Sequence, residues 1–337
     1  MDCVREAILD LLTTLEAPGV IVSIRSEVYK SQDILYGYSN LETMEPMSTS
    51  LLFPIGSVTK TFTGTMLLQA YDAGLVNLHR SVNSIFLGIN GGEYITIRDV
   101  GDMRSGIYNY TETELFQEVN VEDPYRVWSP SELLSIGLAE APYFEPGSAF
   151  HYSNTNSVIL GLAVERLFND SYEEILYQQM LEPLELHNTS FKQVVPLAGS
   201  ITGYTYVNDE LVPTTGYNNS WGWSAGQIIS NVLDMHKYAK KSLGQHKTLS
   251  KDATLQQRRW STLDIVDGVE MGYGFQLEKL NNYIGHRGSL PGYSSYVLCN
   301  VPTRTTIVIV ANLQTSKDGV TVVDPILRLL LELLPGL

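Results

Sequence analysis

The chain has 337 residues, of which 44% are hydrophobic and 18% are charged, and this balance predicts a packed globular core. The formal net charge of −15 disfavours nucleic acid or an anionic membrane surface as a partner, because both would repel the protein. Two cysteines, Cys3 and Cys299, are too few for a disulfide framework or a metal cluster, and two reduced thiols are favoured over one bridge.

The N-terminal segment MDCVREAILDLLTTLEAPG predicts an amphipathic helix, since Val4, Ile8, Leu11, Leu12 and Leu15 fall on one helical face. It lacks the basic start and the uninterrupted apolar stretch of a secretory signal. The C-terminal run ILRLLLELL is too short to cross a bilayer and contains charged residues. These features predict a soluble, cytoplasmic protein.

The segments GVIVSIRSEV and DILYGYSN predict paired strands, and residues 57–74 predict a helix. From about residue 80 to 215, short helical runs are separated by Pro, Gly and Asn clusters, with little strand signal before residues 201–206. The last third of the chain contains four predicted strands. Two of them, YGFQLEKL and YIGHRG, flank a hairpin turn at residues 281–282, and the other two are YSSYVLCN and TTIVIVANL. A final helix begins near Asp324.

Strands at both ends of the chain and helices in the middle predict an α/β fold of the α+β type. One antiparallel sheet would be built from both termini, and the two terminal helices would cover it. Residues 1–80 and 216–337 form the predicted sheet subdomain, and residues 81–215 form a mostly helical one. Within this single catalytic unit, the site is expected in the cleft between the two parts.

A Gly-x-Ser-x-Gly pattern at residues 222–226 raises one alternative, an esterase of α/β-hydrolase type with Ser224 as its nucleophile. Asp264 or Asp267 could serve as its acid and His286 as its base. The preceding segment TTGYNNSWGW, however, is polar and rich in Gly and Asn, unlike the buried strand that such a nucleophile requires. The chain also shows no βαβ alternation, so a parallel sheet is not predicted.

A second candidate nucleophile is the serine of the single Ser-x-x-Lys pattern, which Ser57 and Lys60 form in FPIGSVTK. At the start of a helix, residues three apart lie on one face, so the Lys60 amine would reach the Ser57 hydroxyl. A serine hydroxyl is a weak nucleophile and needs such an adjacent base. Backbone N–H groups at the helix start would favour the developing negative charge.

Two further patterns follow Ser-x-x-Lys along the chain. Tyr152 and Asn154 form a Tyr-x-Asn pattern in the context EPGSAFHYSNTN, and His286 and Gly288 form a His-x-Gly pattern on a predicted strand. Tyr-x-Asn alone says little, because it also occurs at residues 38, 206 and 217, whereas His-x-Gly occurs once.

The ordered set of three patterns resembles the class C β-lactamases and their penicillin-binding-protein-like relatives, which include D-alanyl carboxypeptidases, D-aminopeptidases and carboxylesterases. The resemblance covers most of the chain, through the segments FPIGSVTKTFTG, ITIRDVGDMRSGI, FEPGSAFHYSNTNSVILG and SAGQIISNVLDM. It implies a β-lactamase/transpeptidase-like fold. It also makes the Gly-x-Ser-x-Gly match around Ser224 an accident of a Gly-rich loop.

The resemblance implies that Ser57 attacks a carbonyl carbon and forms an acyl-enzyme. Lys60 and Tyr152 would act together as the general base, and Tyr152 would transfer the proton to the leaving group. Asn154 would hydrogen-bond a substrate amide or hold Lys60.

The remaining implied residues bind the substrate. Backbone N–H groups of Ser57 and Ser289 would form the oxyanion hole, because Ser289 directly follows the His-x-Gly triplet on the edge strand. His286 and Gly288 would face and shape the cleft. Core or surface roles are as plausible as cleft-lining ones for three further residues: Trp221, Trp223 and Arg104.

Two residues depart from the family pattern. Met103 replaces a histidine common at that position, which predicts a different cleft wall, and Arg287 occupies the middle of the third motif, where Thr or Gly is usual. The His-x-Gly form resembles peptidase and esterase members more than true class C β-lactamases, which carry Lys there.

The resulting prediction is a serine hydrolase that acts on peptide amides, possibly of D-residues, or on small esters. Its expected partner is a small-molecule or peptide substrate, and a homo-oligomer is possible. No pattern implies a cofactor or a metal. The alternative from another class is a catalytically silent scaffold, against which the intact Ser57, Lys60 and Tyr152 argue.

Overall fold

The computed structural model describes residues 2–86, 88–192, 198–266 and 269–334, apart from the side chains at positions 2, 3, 265 and 266. Its α-helices are α1 (Asp2–Thr14), α2 (Thr59–Asp72), α3 (Ile97–Gly101), α4 (Glu114–Glu122), α5 (Pro130–Ala139), α6 (Asn154–Phe168), α7 (Tyr172–Leu176), α8 (Glu182–Leu184), α9 (Val232–Tyr238), α10 (Lys251–Gln257) and α11 (Val323–Leu333). Two π-helical turns, Tyr177–Leu181 and Ala239–Gly244, join α7 to α8 and extend α9.

The strands in the same ranges are β1 (Gly19–Arg25), β2 (Gln32–Asn40), β3 (Glu45–Pro46), β4 (Phe53–Pro54), β5 (Ser190–Phe191), β6 (Tyr204–Val207), β7 (Glu210–Pro213), β8 (Ile228–Ser230), β9 (Ser261–Val266), β10 (Val269–Gly274), β11 (Leu277–Leu280), β12 (Tyr283–Leu290), β13 (Tyr293–Asn300) and β14 (Thr306–Ala311). The main sheet has the order β3-β2-β1-β14-β13-β12-β11-β10-β9, and its pairings are antiparallel. Val20 of β1 lies opposite Ala311 of β14, so the first strands adjoin the last. The prediction of one antiparallel sheet built from both ends of the chain is confirmed.

Helices cover both faces of the central strands, which explains why β1, β13 and β14 are almost continuously apolar and buried. Successive side chains of a strand point to opposite faces. Thus Val308 and Val310 of β14 share a core cluster with Phe62 of α2, whereas Ile307 and Ile309 share another with the terminal helices α1 and α11. The predicted covering by the terminal helices is confirmed.

Helices α3 to α8 occupy the middle of the chain, as the Pro, Gly and Asn punctuation predicts. Side-chain caps start several of them, with reciprocal capping boxes of Thr96 with Asp99 and of Ser129 with Glu132. Helix α6 packs against α2, which brings the second sequence motif beside the first. The boundaries of the two subdomains, residues 1–80 with 216–337 and residues 81–215, stay a prediction.

The described residues also bear on the cysteines, on metal sites and on membrane spans. Cys299 is a buried free thiol, whereas the side chain of Cys3 and the whole of Asp267 lie outside the described part of the chain. Among the described residues, no group of three or more His, Cys, Asp or Glu side chains is placed to hold a metal ion. The helices described for this chain are all too short or too polar to span a bilayer.

Candidate active site

Ser57 lies in a 3₁₀ turn, Gly56–Val58, and Lys60 is the second residue of the helix that follows. The α-helix therefore begins two residues later than the sequence predicts. The predicted proximity nevertheless holds, because Lys60 Nζ lies 3.0 Å from Ser57 Oγ. Gly56 has a φ of +56°, a backbone conformation that favours glycine and turns the chain sharply just before the serine.

Lys60 is fully buried beneath the cleft. Its Nζ donates to Asn154 Oδ1 at 2.7 Å and to the Ala225 carbonyl oxygen at 2.8 Å. Burial holds the pKa of Lys60 well below its ordinary value of 10.5, although the negative charge of Glu278 opposes this shift. A neutral amine has two hydrogens for these two acceptors, and its lone pair then faces Ser57 Oγ. The arrangement suits a general base that takes the hydroxyl proton.

Tyr152 lies next to the serine and to Lys60, two residues before Asn154 at the start of α6. Its ring centroid is 4.9 Å from Lys60 Nζ. Burial raises the pKa of Tyr152 above its ordinary value, and a hydrogen bond with Ser57 only partly offsets this effect. A phenol with a raised pKa keeps its proton at neutral pH, which favours a proton-donor role for Tyr152 and the base role for Lys60.

Asn154 holds Lys60, which is one of its two predicted roles. Its own amide is fixed in turn, since Asn154 Nδ2 donates to Thr111 Oγ1 at 3.1 Å and its backbone N–H donates to Asn109 Oδ1 at 3.0 Å. These contacts orient the Asn154 oxygen toward the lysine.

The third motif lies on β12, which is an interior strand and not the predicted edge strand. Nevertheless, β11 pairs only with residues 283–285 of β12, so the rest of β12 has an open edge on that side. The Arg287 N–H points to this edge, because it donates to Glu278 Oε2 at 2.9 Å. Main-chain groups of a strand alternate between its two sides, so the N–H of Ser289 also points to the open edge. This position suits an oxyanion donor.

Two glycines keep this strand in backbone contact with the turn that carries Ser57. A Cβ atom on Gly288 would lie 2.1 Å from the Ile55 carbonyl oxygen, and one on Gly56 would lie 2.8 Å from the Ser289 nitrogen. Gly288 therefore has a packing role and lies behind the cleft, which explains the glycine of His-x-Gly. The close approach brings the backbone N–H groups of Ser57 and Ser289 together.

We expect Gly288→Ala to lower kcat about 100-fold, because its methyl group would push Ser289 away from Ser57 and loss of one oxyanion donor has an effect of that size. The measurement is steady-state hydrolysis combined with a urea melt, which separates misfolding from a site defect. Gly272→Ala on β10 is the comparison, since Gly272 lines the same cavity but its Cβ would meet the nearest atom, the Ser261 carbonyl oxygen, only at 3.3 Å. Equal losses in the two variants would contradict the packing argument.

His286 is buried at the cleft floor and is neutral. Its Nδ1 lies 2.6 Å from the Arg287 carbonyl oxygen and its Nε2 lies 3.2 Å from the Tyr273 hydroxyl. Burial lowers the pKa of His286, and the nearby Glu278 only partly counters this. Because the Arg287 oxygen can only accept, Nδ1 carries the proton and Nε2 accepts from Tyr273. His286, the first residue of the third motif, is therefore neutral at the position where class C β-lactamases carry a lysine.

The motif residues meet at a cavity of ≈ 480 Å³. Of the residues predicted from sequence, the cavity lining contains Ser57, Tyr152, Asn154, His286 and Ser289. Sequence reasoning missed other residues that line it, among them Asn109, Phe150, Met271, Gly272, Tyr273 and Glu278. No motif marks them, since they reach the cavity only through strand pairing and loop packing. A larger depression of ≈ 770 Å³ is lined by other described residues, among them Trp128, Tyr172 and Trp223.

The two departures from the family pattern have different outcomes. Met103 does not form a cleft wall as predicted: it is fully buried, and its sulfur accepts hydrogen bonds from the Ser153 N–H and from Asn156 Nδ2, both at 3.5 Å. Arg287 does line the cleft, and its guanidinium donates to Asp324 at 2.9 Å. Arg287 is therefore the departure that bears on substrate choice.

The esterase alternative based on Ser224 is wrong. Ser224 lies in a 3₁₀ turn, Trp223–Ala225, and not between a strand and a helix. It is fully buried, and its Oγ donates to the Ser157 carbonyl oxygen at 2.9 Å. The sheet is antiparallel, which an α/β-hydrolase fold does not allow. The same turn instead supplies the Ala225 carbonyl that holds Lys60.

The family model described as Beta-lactamase matches residues 6–331 of this chain. The chain belongs to the beta-lactamase family. Protein flp of Staphylococcus aureus (strain NCTC 8325) is 25% identical over 289 residues, which cover 83% of this chain and 56% of flp. The chain thus spans about half the length of that curated relative.

Two solved structures have closely similar folds. A D-stereospecific amidohydrolase from Streptomyces sp. has a TM-score of 0.86 and 25% identity, with 99% of each chain covered. A D-amino acid amidase from Ochrobactrum anthropi SV3 has a TM-score of 0.86 and 19% identity, with 99% of this chain and 98% of that chain covered. The mixed fold of helices and antiparallel sheet is β-lactamase/transpeptidase-like, as predicted. Together with the family match, these two structures show that the chain has the fold of this family along nearly its whole length.

Proposed function

We propose that this protein hydrolyses amide bonds of small molecules or short peptides through an acyl-enzyme on Ser57. The proposal depends on one contact, in which Ser57 Oγ lies 3.0 Å from Lys60 Nζ. Burial lowers the pKa of this lysine, which favours its action as a base. Two acceptors already occupy the hydrogens of a neutral Lys60, so its lone pair is available to the serine proton.

In the acylation step, Ser57 Oγ forms a bond with the carbonyl carbon and its proton passes to Lys60. The negative charge on the carbonyl oxygen is stabilised by the N–H groups of Ser57 and Ser289. When the C–N bond breaks, Tyr152 gives its proton to the departing nitrogen and recovers one from Lys60. Water then attacks the ester, loses a proton to the same groups, and Ser57 regains its own.

Two observations favour particular substrates within this class. The similar Streptomyces protein is a D-stereospecific amidohydrolase and the Ochrobactrum anthropi protein is a D-amino acid amidase, so D-amino acid amides are the first substrates to screen and small esters the second. The buried neutral His286 supplies no charge to hold the carboxylate of a β-lactam, so efficient antibiotic hydrolysis is not expected. Cytoplasmic location and a homo-oligomeric state stay predictions, the second of which a solution mass measurement would test.

The proposal is tested by covalent labelling. We expect a fluorophosphonate to label Ser57, because a nucleophile activated by Lys60 attacks phosphorus as it attacks carbon. A fluorescent penicillin serves as a second probe, and peptide mass spectrometry identifies the modified residue. An adduct on any other serine, or no adduct in protein shown to be folded, would contradict the proposal and favour a catalytically silent scaffold.

A further inference from the structure

One carboxylate in the cleft has no part in the steps above. Glu278 lies on β11 and lines the cavity, with 22% of its side chain exposed. Its Oε2 accepts from the Arg287 N–H at 2.9 Å, and its Oε1 lies 3.6 Å from His286 Nδ1. These contacts fix the position of the Glu278 side chain, and its carboxylate borders the cavity.

Glu278 lies on the side of the site where the leaving group departs. The departing nitrogen has to lie near the Tyr152 hydroxyl, which protonates it in the proposed reaction. The Tyr152 ring is 6.0 Å from the His286 ring and 6.2 Å from the Tyr273 ring, and both rings are part of the same cavity lining. Since Glu278 contacts His286, it belongs to this leaving-group side.

The nearby basic side chains leave the charge of Glu278 largely unopposed. Arg287 is bound to Asp324 at 2.9 Å, and Lys279 is bound to Glu270 at 2.8 Å. His286 is neutral, for the reason given above, and Lys60 is fully buried and already hydrogen-bonded to Asn154 and to the Ala225 carbonyl oxygen. Because Arg287 is paired with Asp324, Glu278 is the lining group available to attract a positive charge on this side of the cavity.

The main-chain groups of Arg287 on β12 are not available to bind the leaving group. Beyond the end of β11, the open edge of β12 could bind a peptide through Arg287 and Ser289. The Arg287 N–H is occupied by Glu278, and the Arg287 carbonyl oxygen is occupied by His286 Nδ1. A leaving group that extends past Ser289 therefore meets a carboxylate and not free backbone groups.

We propose that Glu278 is a specificity-determining residue that selects leaving groups with a positive charge and disfavours those that end in a free carboxylate. This inference rests on the proposed acyl-enzyme function, and it deepens that function by assigning its leaving-group class. Ammonium and guanidinium groups would bind the exposed carboxylate, whereas a terminal carboxylate would be repelled by it. The protein would act poorly as a carboxypeptidase, because the leaving group of that reaction carries a free carboxylate.

The test uses amines as acceptors for the acyl-enzyme, because an attacking amine occupies the same position as a leaving one. A p-nitrophenyl ester acylates the protein, and ethylenediamine, propylamine or glycine then competes with water. In each transfer the amine nitrogen bonds to the acyl carbon, the bond from that carbon to Ser57 Oγ breaks, and the proton lost by the amine returns to Ser57 Oγ. The ratio of amide to acid product, divided by the concentration of amine whose attacking nitrogen is unprotonated, compares the amines, and the change of this ratio between the wild type and a variant reports recognition by the protein.

The singly charged diamine is expected to be favoured over glycine, with propylamine between them. Glu278→Gln should shrink the preference for the diamine over glycine about tenfold, which is the size of one charge interaction at an effective dielectric constant of about 20 after solvent screening. Glutamine keeps an acceptor for the Arg287 N–H, so the strand edge stays in place. Arg287→Gln is the comparison, since it should lower glycine transfer if Arg287 is instead the carboxylate receptor.

The outcomes separate this inference from the proposed function. If Ser57 forms an acyl-enzyme and the diamine has no advantage over propylamine, the assignment of Glu278 is wrong and the proposed function stands. An unchanged preference in Glu278→Gln, or a loss of glycine transfer in Arg287→Gln, would also overturn it. If no acyl-enzyme forms on Ser57, the proposed function itself fails, and the assignment fails with it.

Discussion

Ser57→Ala is expected to lower kcat/KM for amide hydrolysis about 10⁵-fold, because removal of a nucleophile leaves only the binding and oxyanion contributions. The fold should persist, since the serine side chain contacts the cleft and contributes little to the core. The measurement is steady-state kinetics on the best amide found in the screen, with a thermal melt to confirm that the variant is folded.

Ser224→Ala is the matched control for this experiment. It removes the same hydroxyl from a fully buried serine, whose hydrogen bond to the Ser157 carbonyl oxygen is 2.9 Å long. Loss of that bond should cost about 1 kcal/mol of stability and leave labelling of Ser57 intact. If Ser57→Ala kept near-normal activity while Ser224→Ala lost it, the assignment of the nucleophile would be reversed.

Lys60→Met is expected to lower the acylation rate about 10⁴-fold, which is the upper range for a positioned general base. Methionine has a similar length but no amine, so Ser57 keeps its hydroxyl and loses its proton acceptor. The acid limb of the wild-type pH–rate profile, which reports protonation of Lys60, should disappear from the residual activity. Single-turnover acylation measured over a pH series tests both statements. Lys240→Met, which makes the same change in an exposed lysine paired with Glu27, should behave as the wild type does.

The same variant tests the lowered pKa of Lys60 through protein stability. Between the lowered pKa of the folded protein and the ordinary value of 10.5, the unfolded chain binds more protons at this residue than the folded chain does. The free energy of unfolding contributed by Lys60 therefore rises with pH across that window and is lost as pH falls. Urea unfolding over the same pH series should show a shallower rise in Lys60→Met than in the wild type. Parallel curves would mean that Lys60 has an ordinary pKa.

Local patterns predict most of the fold because they reflect local physics. The apolar face of α1, the near-continuous apolar strands β1, β13 and β14, and the Asn281–Asn282 turn are all visible within short windows. The sequence predicts the start of the helix at Ser57, two residues too early, because the sharp turn at Gly56 depends on packing against β12, which no local window contains.

The sequence by itself determined which residues carry the candidate chemistry, since Ser57, Lys60, Tyr152, Asn154 and His286 stand in three ordered motifs. It also determined the antiparallel character of the sheet, because strand-forming segments gather at the two ends of the chain. These properties follow from spacing and from hydrophobic periodicity, which are encoded in neighbouring residues.

Only the tertiary structure decided the pKa of Lys60 and the position of the open strand edge beside Ser289. Lys60 owes its lowered pKa to burial between α6 and the turn at Ala225, and the open edge at Ser289 exists because β11 stops pairing at residue 285. Glu278 reaches the leaving-group side only through the pairing of β11 with β12. Desolvation and strand register depend on groups far apart in the chain, so they become defined only when the whole core assembles.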